Sequence, residues 1–300
     1  MILTFCVLAI ASPHPSIESV ISKTRLICYS PSEFNPKAGA LPSAESIRED
    51  MATVRPYFSG IITYGVKDDP HGFIPQIAQE LDFRTVILGI WDPKSTHEIH
   101  IAIEQARKYP IVAAICVGNE GLHFNRYSLQ DVTDAIQNIR TKRPHIPITT
   151  TEPLPQYQKN PELLQIVDFH LPNIHPYWSL TDRNPSHCAN WVIQEAKRLQ
   201  ATAPTKKPLI IKESGFPSNG DPTCSPEIQA EFWMALFELM QMQNEMGFAF
   251  FEAFDPRDGW KANEMGYSVE SHWGLWTQNR QPKTVIERLP QLSNERSQSK

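Results

Sequence analysis

The chain lacks the positive charge that a phosphate-backbone partner requires: 28 Lys and Arg stand against 33 Asp and Glu over 300 residues, a formal net charge of -5. No nucleic-acid partner is therefore expected. No G-x-G-x-x-G follows the first apolar run and no P-loop is present, which removes the backbone cradle of the nucleotide-binding sheets. The five cysteines, Cys6, Cys28, Cys116, Cys188 and Cys224, form no C-x-x-C, and none of the ten histidines makes an H-x-x-x-H pair. No zinc site is expected, and no other metal or cofactor. The apolar start, Met1 to Ile10 followed by Ala11-Ser12-Pro13, has no Lys or Arg ahead of it and is far shorter than the ~20 residues of a membrane span. With Ala9-Ile10-Ala11 resembling a small-residue cleavage site, residues 1–20 read as a signal or N-terminal segment. The expected location is then secreted, periplasmic or cell-surface, with a cytoplasmic one as the alternative.

What is present is a sequence 41% hydrophobic and 10% aromatic, enough to fill the core of one large domain. Its 26 prolines exceed the roughly 5% of average usage and favour short, stiff connections over a helical bundle. Eight short β-branched or aromatic runs recur, at residues 26–29, 60–64, 85–91, 111–117, 148–151, 169–174, 208–212 and 247–251. Continuous apolar runs of this length suit strands buried on both faces. Amphipathic stretches with helix entry signals lie between them: Pro42-Ser43 before Ala44 to Arg55, Ser128 before Leu129 to Lys142, Leu180 to Gln200, and Ser225-Pro226-Glu227 before Ile228 to Met242. Eight strand-helix units predict an α/β fold, a single-domain (β/α)8 TIM barrel over residues 21–290 with a polar tail at 291–300, in preference to an open doubly wound sheet. Cys28 and Cys116 lie in apolar runs and read as buried thiols, whereas Cys188 and Cys224 lie in polar, Pro-rich stretches where a disulfide could form.

In such a barrel the active site sits at the C-terminal ends of the strands, so the polar residues that close each run are the candidates for chemistry. They are Tyr29-Ser30, Thr63-Tyr64, Trp91-Asp92, Asn119-Glu120, Thr151-Glu152, His175-Pro176-Tyr177-Trp178, Glu213, and Glu252 with Phe254-Asp255. Carboxylates and aromatic rings dominate, a mixture that suits a polar, uncharged, sugar-like ligand. Glu120 closes the fourth run and Glu213 the seventh, which would aim both into one mouth. Such a pair fits glycoside cleavage: one carboxyl must be protonated to give its proton to the leaving oxygen, and the other must stay ionised to attack. Lys212, one residue before Glu213, is expected on the opposite side of its strand, which disfavours a Schiff-base enzyme. For Trp91 and Trp178, packing at the barrel rim competes with a role as sugar platforms.

At these residues a family resemblance emerges. Ile115-Cys116-Val117-Gly118-Asn119-Glu120 resembles the acid/base motif of glycoside hydrolase family 17, the β-1,3-glucanase family of the retaining barrel clan. Lys212-Glu213-Ser214-Gly215-Phe216-Pro217-Ser218 resembles its nucleophile motif, E-[ST]-G-W-P-S, with Phe216 in place of Trp. Further counterparts, from Tyr29-Ser30-Pro31 through Asn173-Ile174-His175-Pro176-Tyr177-Trp178 to His272-Trp273-Gly274-Leu275, run in order along nearly the whole chain.

The resemblance implies that Glu120 is the general acid/base and Glu213 the nucleophile, with Asn119 bound to the sugar 2-hydroxyl. It implies that Tyr177 supports the Glu213 carboxylate, a role open also to His175 or Tyr64. Tyr29, Tyr64, Asn119, His175, Tyr177, Glu252, Trp260 and Lys261 form the expected substrate-binding set. Phe216 and the stretch 255–261, longer than the short turn expected from the resemblance, depart from the family pattern and leave linkage open. The expected activity is retaining hydrolysis of a β-glucan, most simply β-1,3-linked, by a monomer. The alternatives are a glucanosyltransferase using the same residues and a non-catalytic glucan-binding barrel.

Overall fold

The computed structural model describes residues 14–39, 41–66, 71–143 and 145–292. The cleavage-site reading, Cys6 and residues 293–300 of the tail lie outside them. Among the described residues seven strands run parallel: β1 (Leu26–Cys28), β2 (Gly60–Ile62), β3 (Thr85–Ile90), β4 (Val112–Val117), β5 (Ile148–Thr149), β6 (Leu209–Ile211) and β7 (Met246–Phe250). Their spatial order is β5-β4-β3-β2-β1-β7-β6, with Ile27 opposite Ile61 on one side and Phe250 on the other. Six of the seven strands are buried along their whole length, and β7 is buried at every residue but Phe248.

The eighth position of the ring belongs to the run 169–174, which is too irregular to be a strand. Asp168 N–H donates to Ile148 O at 2.8 Å on the β5 side, while His170 N–H donates to Pro208 O and receives Ile210 N–H at its own carbonyl, both at 2.9 Å, on the β6 side. Single parallel bridges follow from Asn173 to Pro153 and to Glu213. Pro172 lacks an N–H, so a continuous ladder cannot form here. The ring nevertheless closes, and the fold is the (β/α)8 barrel expected from the eight apolar runs.

Helices form the outer layer, and their starts follow the side-chain caps read in the sequence. Ser43 and Ser225 accept the N–H of Ser46 and Ile228 ahead of helices Ala44–Val54 and Pro226–Met240. Ser128 forms a full capping box with Asp131 ahead of Leu129–Lys142. The helix expected within Leu180 to Gln200 is present and runs Pro185–Thr202, capped by Asn184, because Asn-Pro supplies a cap and a preset first turn. Trp233 from the helix Pro226–Met240 packs on Phe250 of β7 with ring centroids 4.7 Å apart. None of the described helices is long and apolar enough to cross a membrane.

One domain boundary needs correction, and one pairing left open by the sequence is decided. Helix Ile17–Lys23 buries Ile17 and Val20 against the barrel, so the domain boundary drawn at residue 21 falls inside a packed element. Cys188 and Cys224 are free thiols rather than a disulfide: Cys188 Sγ donates to Asp182 O at 3.3 Å, and Cys224 is paired with the Tyr177 hydroxyl.

Candidate active site

Glu120 lies just past β4 in a tight turn that begins with Gly118 at φ +79° and places Glu120 itself at φ +53°. A non-glycine residue at positive φ costs roughly 1–2 kcal/mol, so neighbouring contacts must hold it. Glu120 N–H donates to Thr151 O at 2.9 Å, and Glu152 accepts the N–H of Leu122 at 2.9 Å and of His123 at 3.2 Å. The Tyr127 hydroxyl accepts from Gly121 N–H at 2.9 Å, and a Cβ at Gly121 would lie 1.9 Å from the Tyr127 ring. Only glycine therefore lets the turn close on that ring. The Glu120 side chain receives Asn173 Nδ2 at 2.8 Å. Burial, and then the charge of Glu213, raise its pKa above the ordinary glutamate range.

Glu213 lies two residues past the end of β6 and is buried. Its Oε1 accepts from Lys212 Nζ at 3.1 Å, and its Oε2 lies 3.6 Å from His175 Nε2. Burial works to raise this carboxyl, but Lys212 and His175 together outweigh it and hold the group well below its ordinary value. Lys212 also donates to Asn119 Oδ1, which places Asn119, Lys212 and Glu213 at the same mouth as Glu120.

Beyond β7, Glu252 is 1% exposed and takes Lys261 Nζ on both oxygens at 2.7 Å. Burial raises Glu252, with Lys261 opposing the shift. Glu252, Lys261 and Trp260 line a cleft with Ser30, Phe34 and Asp255. Trp260 meets Phe34 edge-on at 6.0 Å. Glu270, on the turn Ser268–Ser271, faces Lys261 and His175 and is raised by burial. Trp178 (47% exposed) and Tyr267 (56%), the residue ahead of the turn Ser268–Ser271, form an outward-facing ring pair with centroids 5.3 Å apart. No group of three or more His, Cys, Asp or Glu among the described residues is arranged to hold a metal ion.

The BtgE/BtgC glycoside hydrolase domain matches this sequence over residues 27–274. The chain belongs to that glycoside hydrolase family. The family 17 assignment expected from the two glutamate motifs therefore holds. "Probable family 17 glucosidase SCW4" from Saccharomyces cerevisiae is 26% identical over 273 residues, 86% of this chain and 67% of that protein. "Probable glucan endo-1,3-beta-glucosidase btgC" from Aspergillus clavatus is 25% identical over 278 residues, 82% of this chain and 39% of that protein. The chain thus spans about two-fifths of the length of the btgC proteins it matches. In fold it resembles the family 17 β-1,3-glucanosyltransferase from Rhizomucor miehei, with a TM-score of 0.70 at 22% identity, covering 87% of this chain and 95% of that one. A mutant of the same enzyme in complex with laminaritriose gives a TM-score of 0.71 at 21% identity, covering 87% of this chain and 96% of that one.

Of the residues predicted for the family 17 site, the mouth of this barrel collects Glu120, Glu213, Asn119, His175, Glu252, Trp260 and Lys261. Three tyrosines do otherwise. Tyr29 is buried and donates to Asp50 Oδ2 at 2.9 Å; Cys28 turns inward to Lys212 O, so the next side chain turns outward to the helix layer. Tyr64 offers its ring face to Lys212 Nζ at 4.2 Å and forms a floor beneath the ammonium. Tyr177 is drawn to Cys224 and packs against Trp178, with centroids 4.8 Å apart, and it makes no bond to Glu213 among the described contacts. Trp91 is covered by the Arg126 guanidinium at 4.1 Å, a rim contact. Sequence reasoning gave Asn173 no role, named Glu152 only among the strand-closing residues, and set Lys212 on the opposite side of its strand, whereas its ammonium meets Glu213. All three stand at or just past strand ends, and that position was the available signal.

Proposed function

We propose that this chain is a retaining glycoside hydrolase acting on β-1,3-glucan by double displacement, with Glu213 as nucleophile and Glu120 as general acid/base. The observation that carries the reading is the opposed setting of two carboxyls at one mouth. Glu120 is biased toward its protonated form by burial and by the charge of Glu213, whereas Glu213 is held ionised against its own burial by Lys212 and His175. Glycosidic cleavage requires this division.

In the first step Glu213 attacks the anomeric carbon while Glu120 gives its proton to the departing oxygen. In the second, Glu120 takes a proton from water, which attacks the same carbon and releases Glu213. Asn119 presents its amide to the sugar 2-hydroxyl, and Glu252, Lys261 and Trp260 bind glucosyl hydroxyls in the adjacent cleft. The names of the btgC relatives and of the Rhizomucor enzyme, with its bound laminaritriose, support the β-1,3 linkage. A secreted, periplasmic or cell-surface location belongs to the same proposal, since a polymeric glucan too large to enter a cell is met outside it.

The test is incubation with β-1,3-, β-1,4- and β-1,6-linked oligosaccharides, following product linkage and anomeric form by proton NMR. The β-anomer should appear first, and from the β-1,3 series. Glu120→Gln should lose ~10²–10⁴-fold in rate on these substrates, and Glu213→Gln should be inactive. Initial release of the α-anomer, or cleavage confined to another linkage, rejects the reading. The exposed Trp178–Tyr267 pair favours a second outcome from the same intermediate, transfer to a sugar hydroxyl stacked on those rings; products longer than the donor would reveal it.

A further inference from the structure

Lys212 is 1% exposed and ranks among the largest fully buried side chains of the barrel. A buried ammonium is costly unless its three donors are engaged. Here Nζ donates to Glu213 Oε1 at 3.1 Å and to Asn119 Oδ1, and lies 4.2 Å from the centre of the Tyr64 ring. The residue therefore touches both the proposed nucleophile and the amide proposed to bind the sugar beside it.

We propose that Lys212 is a positioning residue for the double displacement: its ammonium occupies Glu213 Oε1 so that Oε2 bonds to the anomeric carbon, and it fixes the Asn119 amide with Oδ1 buried and Nδ2 turned to the substrate. This rests on the reading of Glu213 as nucleophile. As the glycosyl-enzyme forms, the bond from Oε2 to the anomeric carbon replaces the bond to the leaving oxygen, which departs with the electron pair and the Glu120 proton. As it breaks, the pair returns to Oε2 while water supplies the new oxygen and gives its proton to Glu120. Lys212 keeps its protons throughout. By stabilising the carboxylate more than the ester, it makes Glu213 a better leaving group in the second step.

The other charges around Glu213 do not substitute for it. Glu120, Glu252 and Glu270 face Glu213 as like charges, and Lys261 is engaged on both oxygens of Glu252. His175 stands farther off, at 3.6 Å. Cys28 and Cys116 are thiols raised by burial, and the Tyr64 phenol is raised likewise, so all three face the pair uncharged. Lys212, at 3.1 Å, stands nearer Glu213 than His175, whose ring also supports the carboxylate. Burial pulls the ammonium down, but Glu213, together with smaller contributions from Cys116 and Cys28, opposes it and the net shift is upward, so Lys212 stays charged across the working pH range.

The experiment compares kcat/KM against pH on laminari-oligosaccharides for the unaltered chain, Lys212→Met and Lys212→Gln, with circular dichroism reporting the folded fraction. The acid limb should rise by about 1–2 pH units in both variants, farther than the alkaline limb moves. A uniform loss of rate with the acid limb unmoved overturns the proposal and leaves Lys212 a structural counter-charge. Should neither variant fold, the unaltered chain decides. Its inactivation by a 2-deoxy-2-fluoro-β-glucosyl fluoride should stay constant well below the ordinary glutamate pKa of about 4.3, and a limb at that ordinary value overturns the proposal. Mass mapping of the label separates the two readings. Label on Glu213 with an ordinary limb refutes only the role of Lys212, and label on another residue refutes the nucleophile assignment and this inference with it.

Discussion

Replacing Asn173 isolates the proton on Glu120. The Asn173 amide donates from Nδ2 to Glu120 Oε1 at 2.8 Å, accepts from Thr151 Oγ1 at 3.0 Å, and is buried. The Nδ2 bond favours ionised Glu120, because a carboxylate accepts more strongly than a carboxyl. A hydrogen bond to a charged group contributes about 1.5–3 kcal/mol. At a mouth that must admit solvent the lower end applies, and at about 1.4 kcal/mol per pH unit Asn173→Ala should raise the Glu120 pKa by about 1 unit. Glu120 enters the reaction protonated, so the limb on which kcat/KM falls with rising pH should move up by about 1 unit. The acid limb, set by Glu213, should stay in place. The variant also strands the Thr151 hydroxyl, a loss of about 1–3 kcal/mol of stability. Denaturant titration must therefore accompany reducing-sugar assays of β-1,3-oligosaccharide cleavage across pH. An alkaline limb that stays put or moves down in a folded Asn173→Ala protein refutes the reasoning.

Three further outcomes follow from contacts in and around the site. Glu152→Ala leaves the N–H groups of Leu122 and His123 without their acceptor, so stability should fall by about 3 kcal/mol and kcat/KM should fall with it. Unchanged kinetics would show that Glu152 does not hold the Glu120 turn. Its carboxyl, raised chiefly by burial to about 7, favours folding most below the ordinary glutamate range, so this contribution to stability should decline as pH rises toward 7. Tyr29→Phe removes the bond to Asp50 and should lower stability by about 1–2 kcal/mol while leaving KM for laminari-oligosaccharides unchanged; a raised KM would return Tyr29 to the site. Lys261→Met strands the buried Glu252 and should cost about 3 kcal/mol, the low end for a broken buried pair because Lys261 keeps some solvent contact. Adding Glu252→Gln should recover part of that stability, and a double variant no more stable than the single would argue against the pairing.

The barrel was legible because its strands are buried on both faces: every apolar run from 26–29 to 247–251 takes its place in the ring. Glu120 and Glu213 were legible because each is the first acidic residue after such a run, which is where a parallel barrel opens. The misreadings have separate causes. Alternation separates Lys212 and Glu213 where they leave the backbone, but the flexible four-carbon lysine stem carries its ammonium to Glu213 Oε1 at 3.1 Å, so the two meet. Tyr29 follows Cys28 directly, and there alternation does operate; counting from the inward Cys28 would have sent Tyr29 to Asp50. Asn173 went unnoticed because Pro172 breaks the run that carries it. Its two partners, Glu120 and Thr151, come from separate strand ends and could be paired only once the ring had closed.

The ring has one weak joint, at residues 169–174, where isolated bridges stand in for a ladder. Asn173 straddles that joint, its backbone tied to Glu213 and its amide to Glu120. The two acids are thus riveted across the loosest stave of the hoop. Gentle warming or dilute denaturant that springs this stave would pull them apart while the remaining staves keep their register, so catalysis would fade before the barrel melts.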